Sequence, residues 1–185
     1  MVTTANTSCA DTFKDYLEHT GSAIVLAQEL RVAGQDEADL QSWAAGKGWL
    51  SHTAPAVRLP SGRLSGGVGI FVRKHLGLLR PQGVQCTQLE EARLVVGYTP
   101  GVVAGGLTII CSYLRDGEEL SADNMASVWR VAELLGGTKG AWLWGGDFNM
   151  SPETFNEAGL VHRLGGSGGG ALRGDLPHED ARHHD

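Results

Sequence analysis

The sequence predicts an α/β sandwich in which mixed β-sheets are flanked by helices. Three observations carry this expectation. Short continuous apolar runs of strand length recur, at 22–27 (SAIVLA) and 107–112 (LTIICS) above all, as expected of strands buried on both faces. Amphipathic stripes with helical spacing alternate with those runs. Glycine accounts for 27 of the 185 residues, about twice the usual ~7%, so turns and close backbone approaches punctuate the alternation.

The elements follow in order. Residues 11–19 carry Phe13, Tyr16 and Leu17 at helical spacing, ahead of the strand at 22–27. Residues 36–48 place Ala38, Leu40, Trp43 and Ala44 on one helical stripe, with Gly46 and Gly48 as stops. VGIFVR at 68–73 reads as a strand entered through Gly66-Gly67, while 84–89 and 93–97 read as a strand pair. Residues 121–135 make the clearest helix, with Ser121 placed to cap it and Met125, Val128, Trp129, Ala132 and Leu135 on its stripe. Gly136-Gly137 ends that helix. AWLW at 141–144 is a short buried strand, which puts Trp142 and Trp144 in the core, and it runs straight into GGDFNM. Ser151-Pro152 opens another helix, with serine as cap and proline at the first helical position. Residues 166–185, Gly-rich and then polar, show no apolar periodicity and are expected to form a flexible tail beyond one domain spanning 1–165.

Composition excludes several classes. Fifteen Lys+Arg against 21 Asp+Glu give a net charge of −6, which disfavours a general electrostatic nucleic-acid binder. No apolar run approaches the ~18–20 residues of a membrane span, and the polar N-terminus has no targeting pattern. Cys9, Cys86 and Cys111 are far apart and form no CxxC pair, which points to a reducing, intracellular setting and away from a thiolate zinc site. HEDARH at 178–183 has one residue too many for a zinc-protease helix, and neither GGTKG nor GGSGGG is a phosphate-binding loop. One stretch runs against the acidic balance: 51–89 contains Arg58, Arg63, Arg73, Lys74 and Arg80 and no Asp or Glu. A basic strip able to meet phosphate is one reading of it, and an ordinary mixed surface is the other.

Two places combine reactive side chains with strand ends. Glu29 follows the strand at 22–27, at the carboxyl edge where α/β sheets bind ligands; a surface loop carboxylate is the alternative. Asp147 and Asn149 stand two apart just past AWLW, so an extended chain would project both to one point. A carboxylate there can ligate a hard cation or take a proton from water, and an amide can donate and accept. An Asx-turn leading into a helix accounts for the same residues equally well.

The segment AWLWGGDFNM, with AIVLAQEL upstream, resembles the endonuclease/exonuclease/phosphatase superfamily, the DNase I-like group that includes apurinic and retroelement endonucleases. TTAN at 3–6, SGGVGIFVRKHLGL at 65–78 and LTIICSYLRDG at 107–117 resemble further family segments in the same order. The resemblance implies a partial four-layer α/β sandwich and Mg²⁺- or Mn²⁺-dependent hydrolysis of a phosphodiester, most readily in nucleic acid. It implies Glu29 as the metal carboxylate and Asn6 as its helper in the metal and phosphate shell. Tyr113 would be a donor to the scissile phosphate, Asp147 the group that orients and deprotonates water, and Asn149 its brace. The family pattern calls for another strand pair and a terminal Ser-Asp-His-type motif after Asn149. Residues 150–185 instead turn glycine-rich and end in His183, His184 and Asp185. The expectation is therefore a divergent, C-terminally shortened, retroelement-like member. An inactive remnant or binding protein, and a phosphatase or lipid phosphodiesterase of the same superfamily, are the alternatives.

Overall fold

A computed structural model describes residues 1–7, 9–81 and 92–160. It divides into two compact units, Met1–Asn149 and Met150–Asp185. The first unit begins with strand β1 (Val2–Asn6), helix α1 (Ala10–His19), strand β2 (Ile24–Gln28) and helix α2 (Gln35–Gly46). Strands β3 (Trp49–Ala54), β4 (Val57–Arg58), β5 (Leu64–Ser65) and β6 (Val68–Arg73) follow. It closes with β7 (Leu94–Thr99), β8 (Leu107–Tyr113), α3 (Ala122–Gly137) and β9 (Ala141–Asp147). In the second unit, α4 (Pro152–Glu157) is capped by Ser151, whose hydroxyl accepts from the Thr154 amide at 3.1 Å. The strand expected at 84–89 and the tail at 166–185 lie outside the described residues. No described helix is long and apolar enough to cross a membrane.

Two sheets face one another. The first has the order β1-β2-β6-β3, with β1 and β2 parallel and β6 antiparallel to both β2 and β3. The second has the order β7-β8-β9, antiparallel and then parallel. Between them lies one core, formed by Ile24, Leu26, Ile70 and Val72 from the first sheet and Val95, Ile109 and Cys111 from the second. The alternate residues of the first sheet, Val25, Ala27 and Phe71, point the other way. They meet Phe13 and Leu17 of α1 and Leu40 and Ala44 of α2, each an i, i+4 pair on a buried helical stripe. Burial of each large apolar side chain contributes ~1.5–3 kcal/mol, so these two clusters supply the main driving force of the unit. Helix α3 buries Val128, Val131, Leu134 and Leu135, and Ser121 caps it by accepting from the Asn124 amide at 3.2 Å. Mixed sheets flanked by helices are the architecture that the sequence predicts.

Strand directions set the site. β1, β2, β8 and β9 all deliver their carboxyl ends to one edge of the sandwich, because β1 is parallel to β2 and β8 is parallel to β9. β6 and β7 run the opposite way and begin at that same edge, with Gly69 beside Ala27 and Leu94 beside Ser112. This topology corrects two expectations. Trp142 is 38% exposed, because β9 is the outer strand of its sheet among the described residues. Trp144 is half-buried and donates its indole N–H to Ser112 Oγ at 2.7 Å. Two residues of the basic strip lie away from the strand ends that carry Glu29 and Tyr113. Arg73 and Lys74 sit where β6 ends, at the far edge from the carboxyl ends of β2 and β8, and Arg73 lies over the Trp49 ring at 3.9 Å. Arg73 also donates to the carbonyl of Thr20 at 3.0 Å, so it serves the fold there.

Candidate active site

Four strand ends place the predicted side chains together. Asn6 closes β1, Glu29 follows β2, Tyr113 closes β8 and Asp147 closes β9. Tyr113 and Asp147 are register partners on adjacent parallel strands, so their side chains stand next to each other on one face. The Leu114 amide donates to the Asp147 carbonyl at 2.9 Å, which extends the ladder one step past both residues.

Hydrogen bonds connect the set. The Asn6 amide donates to Asp147 Oδ2 at 2.7 Å, a bond that joins the two sheets at the edge. The Tyr113 hydroxyl donates to Glu29 Oε1 at 2.8 Å. The Arg31 guanidinium pairs with Glu29 Oε2. The Asn149 amide donates to Asp147 Oδ1 at 3.0 Å, and its side-chain amide donates to the Leu114 carbonyl at 2.7 Å. Asp147 thus closes an Asx-turn by accepting from the Asn149 backbone amide, which braces it; Asn149 does not project beside it from an extended strand. Its φ of 47° shows why, since the chain turns left-handed there, a conformation that asparagine tolerates better than most residues.

Electrostatics follow from these contacts. Burial works against ionisation of Glu29. The Tyr113 hydrogen bond, the Arg31 hydrogen bond and charge, and a hydrogen bond from Asn6 outweigh it and hold the carboxyl below its usual range. Asn6 therefore serves both carboxylates. Burial, then the Glu29 hydrogen bond and charge, push the Tyr113 phenol up to about 12. Asp147 pushes in the same direction, and Arg93, over the Tyr113 ring at 5.0 Å, pulls it partly back. The phenol is a neutral O–H donor at any working pH.

The donor set is all oxygen. Glu29, Asp147 and the Asn6 carbonyl suit a hard cation that keeps several waters and needs one or two carboxylates. Among the described residues no group of three or more His, Cys, Asp and Glu side chains gathers as a metal site. His183, His184 and Asp185 lie outside the described residues.

Two participants escape a motif-based reading. Arg31 stands at i+2 from Glu29, and Arg93 stands one residue before β7; both are ordinary surface arginines by sequence. The signal for Arg31 is the turn that brings i and i+2 onto one side. The signal for Arg93 is strand polarity, since an antiparallel β7 must start where β8 ends.

No protein-family model and no curated protein matches the chain. Among solved structures it is similar to an apurinic (AP) endonuclease, LMAP, from Leishmania major, with 14% identity and a TM-score of 0.58 over 88% of this chain and 65% of that one. It is similar to D. rerio TDP2 complexed with a single-strand DNA product, with 17% identity and a TM-score of 0.56 over 81% of this chain and 57% of that one. It is also similar to ANGEL2, described as a 2′,3′-cyclic phosphatase, with 13% identity and a TM-score of 0.54 over 80% and 46%. The chain therefore spans less than two thirds of the length of each. With these neighbours and this strand order, the chain has the DNase I-like fold.

Proposed function

We propose that the chain is a divalent-cation-dependent phosphodiester hydrolase module acting on nucleic acid. The observation that carries this reading is the convergence of Asn6 with Asp147 and of Tyr113 with Glu29, at 2.7 and 2.8 Å, from four separate strand ends. Glu29 and Asn6 would hold Mg²⁺ or Mn²⁺, and that cation would supply positive charge to offset the charge developing on the phosphate oxygens. Asp147, fixed through both oxygens by Asn6 and Asn149, orients water and accepts its proton. Tyr113 stays protonated and turns from Glu29 to donate to a phosphate oxygen. Asn149 keeps Asp147 in register. The nucleic-acid substrate is supported by two neighbours, an AP endonuclease and a TDP2 bound to a single-strand DNA product. A reducing, intracellular setting is supported by Cys9 and Cys111, both free thiols.

The test is cleavage of plasmid and abasic DNA in Mg²⁺ by wild type and Asp147→Ala. Removal of a general base is expected to lower the rate by ~10²–10⁴-fold, and equal rates would end the enzyme reading. The second reading is a small-substrate phosphoesterase, favoured by the −6 net charge and by the 2′,3′-cyclic phosphatase among the neighbours. Turnover of a cyclic mononucleotide with no DNA cleavage would select it.

A further inference from the structure

The turn after β2 holds two charged residues in an unusual pose. Glu29 and Arg31 both adopt left-handed backbone conformations, with φ of 54° and 51°, while Leu30 between them is buried. The turn is held by a double glycine. The Leu30 amide donates to the Gly67 carbonyl at 3.0 Å and the Arg31 amide to the Gly66 carbonyl at 3.1 Å. The cradle has little room for side chains. A Cβ on Gly66 would come within 2.9 Å of the Ala92 carbonyl oxygen, and one on Gly67 within 3.2 Å of the Arg31 nitrogen. Both glycines are themselves left-handed, at 77° and 85°.

The pose turns residues 29 and 31 to the same side, so the Arg31 guanidinium caps the Glu29 carboxylate. The two ends differ in exposure: the Arg31 side chain is 41% exposed and that of Glu29 only 19%. The carboxylate is therefore fixed inside the site, and the cation that neutralises it sits on the solvent side. A divalent cation approaching Glu29 meets this positive charge first.

We propose that Arg31 is the internal counter-ion of Glu29 and competes with the divalent cation for that carboxylate, so that cation binding and Arg31 release are coupled. This rests on the proposed function, because it assigns Glu29 to cation binding. Arg31 thereby sets how tightly the site holds its cation, and it keeps the buried edge near neutrality before loading.

The experiment is isothermal titration of Mg²⁺ into wild type, Arg31→Gln, Arg31→Lys and Glu29→Gln, with thermal unfolding to verify that each variant is folded. Release of a partly exposed ion pair predicts Mg²⁺ binding about two- to fivefold tighter in Arg31→Gln. Arg31→Lys is expected to fall between that variant and wild type, and Glu29→Gln to lose binding. Affinity unchanged or weakened in Arg31→Gln, with binding lost in Glu29→Gln, overturns the competition and leaves the cation site standing. Unaltered Mg²⁺ binding in Glu29→Gln overturns both.

Discussion

Gly146 is the position at which one methyl group should do the most damage. It stands on β9 one residue before Asp147, with φ of 149°, opposite Ser112 of β8. A Cβ placed there would lie 1.8 Å from the Ser112 carbonyl oxygen, 2.8 Å from its carbonyl carbon and 2.9 Å from its nitrogen. All three are backbone atoms of the adjacent strand, so no rotamer change relieves the clash. Restoring van der Waals contact needs a displacement of roughly 1.5 Å, against a normal strand spacing of ~4.7–4.9 Å. That displacement breaks ladder bonds next to Tyr113 and Asp147, at ~1 kcal/mol each. Overpacking adds ~1–3 kcal/mol and the strained backbone a similar amount. Gly146→Ala should therefore cost ~3–6 kcal/mol out of a typical total of ~5–15. In urea this lowers the midpoint by ~2 M at a slope near ~2 kcal/mol/M. Gly136→Ala in α3 is the control, since a Cβ there meets nothing within 4 Å, and a helical Gly→Ala change should stabilise by ~0.5–1 kcal/mol. A Gly146→Ala midpoint within about 0.25 M of wild type would refute the close-approach argument.

Three further outcomes are expected. The chain has three tyrosines, and absorbance at the tyrosinate band should show one titrating late, near pH 12; Tyr113→Phe should remove that late component. Because folding raises the phenol above its ordinary value of about 10, the Tyr113 share of stability is complete below pH 10 and disappears as pH rises toward about 12. Denaturant melts of wild type and Tyr113→Phe across that window test the sign. Asn149→Gly keeps the left-handed turn but loses the bond to the Leu114 carbonyl, while Asn149→Ala loses both; chemical denaturation should rank Ala below Gly by ~1 kcal/mol.

The central strands were legible because burial on both faces leaves a continuous apolar run. Residues 68–73 of the sequence coincide with β6, and 107–112 with all but the last residue of β8. β3 escaped because WLSHTA mixes polarity: it is an edge strand, buried at its ends and half-exposed between. Trp142 misled for a related reason, since its strand has an open flank that hydrophobicity alone does not reveal. That Arg73 and Lys74 lie at the far edge from the carboxyl ends of β2 and β8 could not be foreseen from charge density, because strand direction decides which end of the sheet a residue reaches. The position of Glu29 after β2 and of Asp147 at the end of β9 was legible from the apolar runs before them. The pairing of Arg31 with Glu29 was not, because it depends on a left-handed turn whose glycine support comes from residues 66–67.

The site is unevenly anchored. Tyr113 closes a strand whose seven residues are all buried and which is bonded on both sides, to β7 and β9. Glu29 and Asn149 hang from left-handed turns. Native-state amide exchange should accordingly be slowest along residues 107–113 and faster at 29–31 and 148–149, where opening requires only local unfolding. The site would come apart from its Glu29 side while the phenol stays in place and the core stays closed.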